Sequence, residues 1–131
     1  MSKIHDNIVN SYFVDFENRN IVFNTVYYGN DIQEMAIITF NNVTSYFLKN
    51  GLNANIIFDI EETDLDYFIK DNKHILEKEK NYGWPFLYEN EEELIKILIK
   101  NNVKYYIIKS SYGLEGWILA DEMKIDINIV S

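Results

Sequence analysis

In runs separated by short turns, apolar residues recur at every second position between Ile8 and Ile60, the period lengthens to about 3.6 at Glu61, and beyond Asn102 the pattern is that of strands again. This double change constrains the fold more than any other feature. Period two buries one face of a strand, whereas a period near 3.6 buries one stripe of a helix. The chain therefore reads as strands, then helices, then strands, an α+β order rather than the βαβ alternation of a parallel sheet.

Within the first block, "IVNSYFVDF" at 8–16 sets Ile8, Tyr12, Val14 and Phe16 on one face of a strand. The turn "ENRN" leads into "IVFNTVYY", which pairs with it as a hairpin. The breaks "GND" and "NN" delimit "MAIITF" and "VTSYFL", giving a four-stranded meander. After "KNGLNA", the run "NIIFDI" forms a fifth strand, with Ile56, Phe58 and Ile60 on one side and Ile57 and Asp59 on the other.

Leu65, Phe68, Ile69 and Leu76 predict a helix over 63–80, with Thr63 as N-cap and Asp64 and Asp66 favourable to its dipole. "NYGWP" stops it, because Gly83 accepts a left-handed backbone and Pro85 cannot donate to the ladder. A second helix begins at Asn90, whose capping side chain stands three residues before Glu93, and it buries Leu94, Ile95, Leu98 and Ile99. The last runs, "VKYYIIKS" and "WILADEMKIDINIV", join through a hairpin in which Gly113 and Gly116 supply positive φ. Tyr112 and Trp117 beside these glycines can serve as core, edge cover or contact surface. The expected architecture is a mainly antiparallel sheet of about seven strands, with two helices inserted before the C-terminal strands and covering one face. With no linker, repeat or low-complexity block, residues 1–131 read as one domain.

The chain carries 21 acidic against 12 basic residues, a net charge of −9. Such a field repels phosphate backbones and anionic lipid and attracts basic surfaces, so neither nucleic acid nor membrane is an expected partner. There is no cysteine, hence no disulfide framework and no thiolate nucleophile. "MSKIHDNIVN" lacks the apolar stretch of an export signal and no apolar run is long enough to span a bilayer, so the expectation is a soluble cytoplasmic protein.

Little in the sequence converges on chemistry. His5 and His74 share no metal spacing, and the adjacent His5-Asp6 are expected to project in different directions. Asp59, Glu61, Glu62, Asp64 and Asp66 lack the central glycine and closing glutamate of a calcium loop. Ser110-Ser111 has no nucleophile-elbow pattern, and no phosphate loop or dinucleotide fingerprint occurs. The reading is a binding protein without catalytic residues, metal or cofactor. Carboxylates steer a basic partner toward it, and a few desolvated aromatics hold the partner. A homodimer joined through an edge strand and a small enzyme with a carboxylate base are the alternatives.

Together "HDN", "NIIFDIEE", "NYGWP" and "SSYGLEGWILA" resemble a family of small acidic bacterial proteins, similar in type to toxin-neutralising immunity proteins. The resemblance implies a cognate protein toxin with a basic surface, for instance a nuclease domain. Glu61, Glu62, Asp64 and Asp66 are the expected acidic rim, and Tyr82, Trp84, Tyr112 and Trp117 the expected anchors.

Overall fold

The computed structural model describes residues 4–29 and 31–130, and the backbone alone of Phe58 and Val130. Eight strands make one antiparallel sheet: β1 (Ile8–Asp15), β2 (Asn20–Gly29), β3 (Ile32–Asn41), β4 (Ser45–Lys49), β5 (Ile56–Thr63), β6 (Lys104–Tyr112), β7 (Glu115–Ala120) and β8 (Glu122–Val130). Three helices, α1 (Leu65–Asp71), α2 (Lys73–Glu79) and α3 (Glu91–Lys100), lie between β5 and β6. The α+β class holds. The eighth strand arises because the last apolar run divides at Asp121.

The spatial order is β4-β7-β6-β5-β1-β2-β3-β8. β7 is next to one end of this order and β8 is the other end, yet Asp121 alone joins them. One residue reaches only about 3.5 Å, so the sheet has to curl until its ends approach. The crossing is pinned by Asp121 N–H donating to the Asn41 carbonyl at 3.1 Å and Thr44 N–H donating to that of Leu119 at 2.8 Å. Asn42 Nδ2 adds a bond to Asp121 Oδ2 at 2.8 Å. The expected four-stranded meander is thereby corrected to three strands. β4 leaves for the far edge beside β7, and β8 takes the place next to β3.

β1 meets β5 at the single pair Ile8↔Ile56, so the sheet consists of two halves, β1-β2-β3-β8 and β5-β6-β7-β4, that face each other. Between them lie Ile21, Phe23, Ile38 and Phe40 of one half and Ile60, Tyr106, Ile108 and Ile118 of the other. Phe23 meets Phe40 edge-to-face within the first half at 5.7 Å, and Phe40 crosses the gap to Tyr106 edge-to-face at 5.5 Å. A second core fills the outside of the β5-β6-β7-β4 half, where Phe68, Ile69, Leu76, Leu94 and Leu98 pack on Tyr105, Trp117 and Leu119. The helices thus cover one half of the sheet and leave the outer face of the other to solvent.

Local irregularity moves several expected faces. A bulge between Val9 and Ser11 puts Val9, not Ile8, in the core, and Phe16 falls in the β1–β2 turn and is exposed. Register shifts around Ile57 bury Ile57 and Ile60 in place of the Ile56, Phe58 and Ile60 set; the Phe58 side chain lies outside the described residues, as does Asn30 of the "GND" break.

The single helix expected over 63–80 is divided at Asn72. Its backbone N–H donates to the Phe68 carbonyl at 3.1 Å, closing α1, and its own carbonyl accepts from Leu76 N–H at 2.9 Å, opening α2. Its side chain is what holds it there: Nδ2 donates to the Phe68 carbonyl at 3.0 Å, while Oδ1 accepts from the Trp117 indole N–H at 2.9 Å. Thr63 closes β5, and Asp64 occupies the N-cap position without a capping side-chain bond. Asn90 behaves as the sequence predicts, accepting from Glu93 N–H at 2.9 Å. Gly83 adopts φ 72 and stops the short 3-10 turn Lys80–Tyr82.

Burial pushes the phenols of Tyr105 and Tyr106 from the ordinary 10 up to about 12, with Asp71 beside the first and Glu62 beside the second adding to the effect. Below the ordinary value both the folded and the unfolded chain keep these protons. Between about pH 10 and 12 the unfolded chain releases them while the folded protein retains them, so stability must fall across that window. The expected result is an ultraviolet phenolate titration in which a late pair of tyrosines ionises together with loss of the fold. Ionisation of all ten tyrosines near pH 10 with the fold intact would contradict the burial.

Candidate functional site

β5 ends at Thr63, and the chain enters α1 through the extended backbone of Asp64 (φ −65, ψ 145). Successive side chains on β5 point to opposite faces. Glu62 therefore shares a face with Tyr106, its cross-strand partner, and Glu61 shares the other with Ile107 and Lys109. Asp66, in the first turn of α1, complements the helix dipole.

These placements create a groove of about 340 Å³ between the end of β5, the start of α1 and the side of α3. Glu62, Asp64 and Asp66 line it, Ile95 and Ile99 form an apolar wall, and Lys104 stands at the rim. Ile99 was expected in the helix core. It is instead 63% exposed, because Leu94 and Leu98 define the buried stripe of α3 and the next residue is turned about 100° away from Leu98. Among the described residues, none of the three groove carboxylates has an ion-pair partner. Glu61 does have one. Its Oε2 lies 2.6 Å from Lys109 Nζ, and that contact raises the lysine above its usual range.

The eight residues singled out from the sequence do not converge. Glu62, Asp64 and Asp66 share the groove, and Glu61 faces away with its lysine. Tyr82, 84% exposed, stands on the 3-10 turn after α2. Trp84 lines a separate cleft of about 220 Å³ with Val14, Phe16, Arg19 and Tyr46. Tyr112 is exposed and pairs with Ile56 at the opposite end of β5 from the groove. Trp117 is only 5% exposed and belongs to the helix-side core, so no partner reaches it while the helices are in place.

His5 and Asp6 were expected to diverge. The left-handed backbone of Asp6 (φ 66) brings its Oδ2 to 3.4 Å from His5 Nε2 instead. His74 is exposed on α2, as expected.

One surface had escaped the sequence reading. The β2–β3 hairpin ends between Tyr28 and Ile32. Tyr27, Tyr28, Ile32 and Met35 are exposed there, beside Ile129 of β8. The signal was the doublet Tyr27-Tyr28, whose members point to opposite faces and are both exposed.

No helix is long and apolar enough to cross a membrane among the described residues. No protein-family profile, characterised protein or solved structure matches the chain, so a functional reading has to rest on its own residues and their placement.

Proposed function

We propose that the protein is a non-catalytic, cytoplasmic binding domain for a basic protein surface, acting as an immunity protein acts on its cognate bacterial toxin. The observation that carries the reading is the groove, in which three carboxylates free of ion pairs border the exposed Ile99. A net charge of −9 steers a basic partner toward it, and the isoleucine wall loses water on contact. Against a nuclease domain, Glu62, Asp64 and Asp66 stand where the phosphates of its nucleic acid would.

The test is co-purification with the product of the neighbouring reading frame, then calorimetry of the pair at low and high salt. Tight binding that weakens as salt rises and silences the neighbour's toxicity is the expected outcome. Reversing Glu62, Asp64 and Asp66 together to lysine is expected to weaken the complex by about a thousandfold or more, since each close interfacial charge pair couples by roughly 1.5 kcal/mol or more and each 1.4 kcal/mol is about tenfold. Circular dichroism is the check on folding, because Asp66→Lys also gives up a charge that complements the α1 dipole. A triple variant that binds as well as the parent removes the groove from the interface.

A further inference from the structure

β8 is an edge strand of an unusual kind. Its nine residues pair with β3 from Gln33↔Val130 to Asn41↔Glu122 without a single shift of register. β1 and β5, by contrast, both carry bulges. Among the described residues no strand lies on its other side. Edge strands are ordinarily blunted by proline, by bulges, by shortness or by charge, because a row of unpaired N–H and C=O groups is a template for another strand. β8 uses none of the first three. It does carry charge, as Glu122, Lys124 and Asp126 on its outward side, alternating with Met123, Ile125 and Ile127, which pack toward the inner core.

Those charges match each other when the strand is read against itself in reverse. In antiparallel pairing, directly opposed residues either both face or both avert their backbone groups, so a twofold axis must fall on a residue. With the axis on Asp126, two aspartates oppose each other. With it on Lys124, two lysines meet and Glu122 opposes Asp126. With it on Ile127, Asp126 faces Asn128 and no opposite charges pair. With it on Met123, Glu122 opposes Lys124 twice over, but only residues 122–124 of each β8 overlap, too short a pairing to hold two copies. With it on Ile125, Lys124 opposes Asp126 of the second copy twice over, and Met123 opposes Ile127 on the inner side twice over.

We infer that β8 is a homodimerisation edge, pairing antiparallel with β8 of a second copy about Ile125 and joining the two β1-β2-β3-β8 halves into one eight-stranded sheet. This goes beyond the toxin-binding proposal and does not depend on it. Cross-strand pairs of opposite charge stabilise and like charges opposed destabilise, so the register is written in three residues.

The experiment is light scattering of the purified chain over a range of concentrations, with circular dichroism as the check on folding. The parent is expected to approach twice the chain mass. Lys124→Asp sets aspartate against aspartate at both pairs and is expected to raise the dissociation constant at least tenfold. The double swap Lys124→Asp with Asp126→Lys restores opposite charges and is expected to recover the dimer. Lys124 is exposed, opposite Thr39 of β3, and its 3.6 Å contact with Glu122 of its own strand is an exposed pair of small worth, so loss of folding is not the expected cause of any change. A monomer mass at every concentration would overturn the proposal and leave β8 for a strand of some other protein. A dimer indifferent to Lys124→Asp, or a double swap no better than the single change, would overturn the assigned register.

Discussion

Trp117→Ala is expected to lower the unfolding free energy by about 3–5 kcal/mol, the range for truncating a large buried aromatic. The indole is the hub of the helix-side core. Phe68 meets it edge-on at 5.0 Å, Tyr105 at 6.3 Å, Phe47 stacks at 6.3 Å and Trp84 leans against it at 5.9 Å. Its N–H is also the donor that fixes Asn72 at the α1–α2 break. Truncation therefore opens a cavity and frees a buried carbonyl oxygen at once. Trp117→Phe separates the two effects. It refills most of the volume and leaves Asn72 Oδ1 without its donor, which is expected to cost about 1–3 kcal/mol. Urea unfolding followed by circular dichroism measures both variants. A Trp117→Ala protein within about 1 kcal/mol of the parent would be incompatible with this core.

Gly116→Ala is the second large effect, expected at about 2–4 kcal/mol from backbone strain and steric conflict together. Gly116 sits in β7 at φ 148, opposite Leu48, and a methyl group there would fall on the carbonyl of Phe47 in β4. The strand has no room to shift, because Phe47 is stacked on Trp117. Gly51→Ala supplies the contrast. A methyl group at Gly51 meets nothing within 4 Å, and its effect should stay within about 0.5 kcal/mol. Thermal melts that rank the two substitutions equally would refute the account of the β4–β7 contact.

Local physics made part of this fold legible. The change of period marked the α+β order, the Asn90 and Glu93 pair marked the start of α3, and the glycines of "SYGLEG" marked the β6–β7 hairpin. Each depends on residues a few positions apart. The helix break at Asn72 was not legible, because an asparagine there is stabilised by Trp117, 45 residues away in sequence. The exchange of β4 and β8 was likewise hidden, since strand neighbours follow from which faces bury one another and not from turn residues. At the groove, composition pointed to Glu62, Asp64 and Asp66. The apolar wall did not show, because Ile99 fits the helical stripe by spacing and misses it only by the rotation that Leu94 and Leu98 impose. Trp117 illustrates the limit most plainly: the same spacing of aromatic and glycine serves a core or a surface, and only the helices folded over β7 decide.

The crossing at Asp121 bears also on how quickly the molecule can form. β1, β2 and β3 zip together through short turns, but the outer edge of β3 waits for β8, and Asn41 meets Glu122 81 residues further along the chain. Until β5, β6 and β7 are in place, Ile38 and Phe40 have no opposing layer and β3 stands as a bare, sticky rim. Such distant closures are slow, because the loop entropy is lost before any contact rewards it. The same one-residue link that makes the finished sheet compact therefore lengthens the interval in which an unfinished chain is vulnerable to clumping.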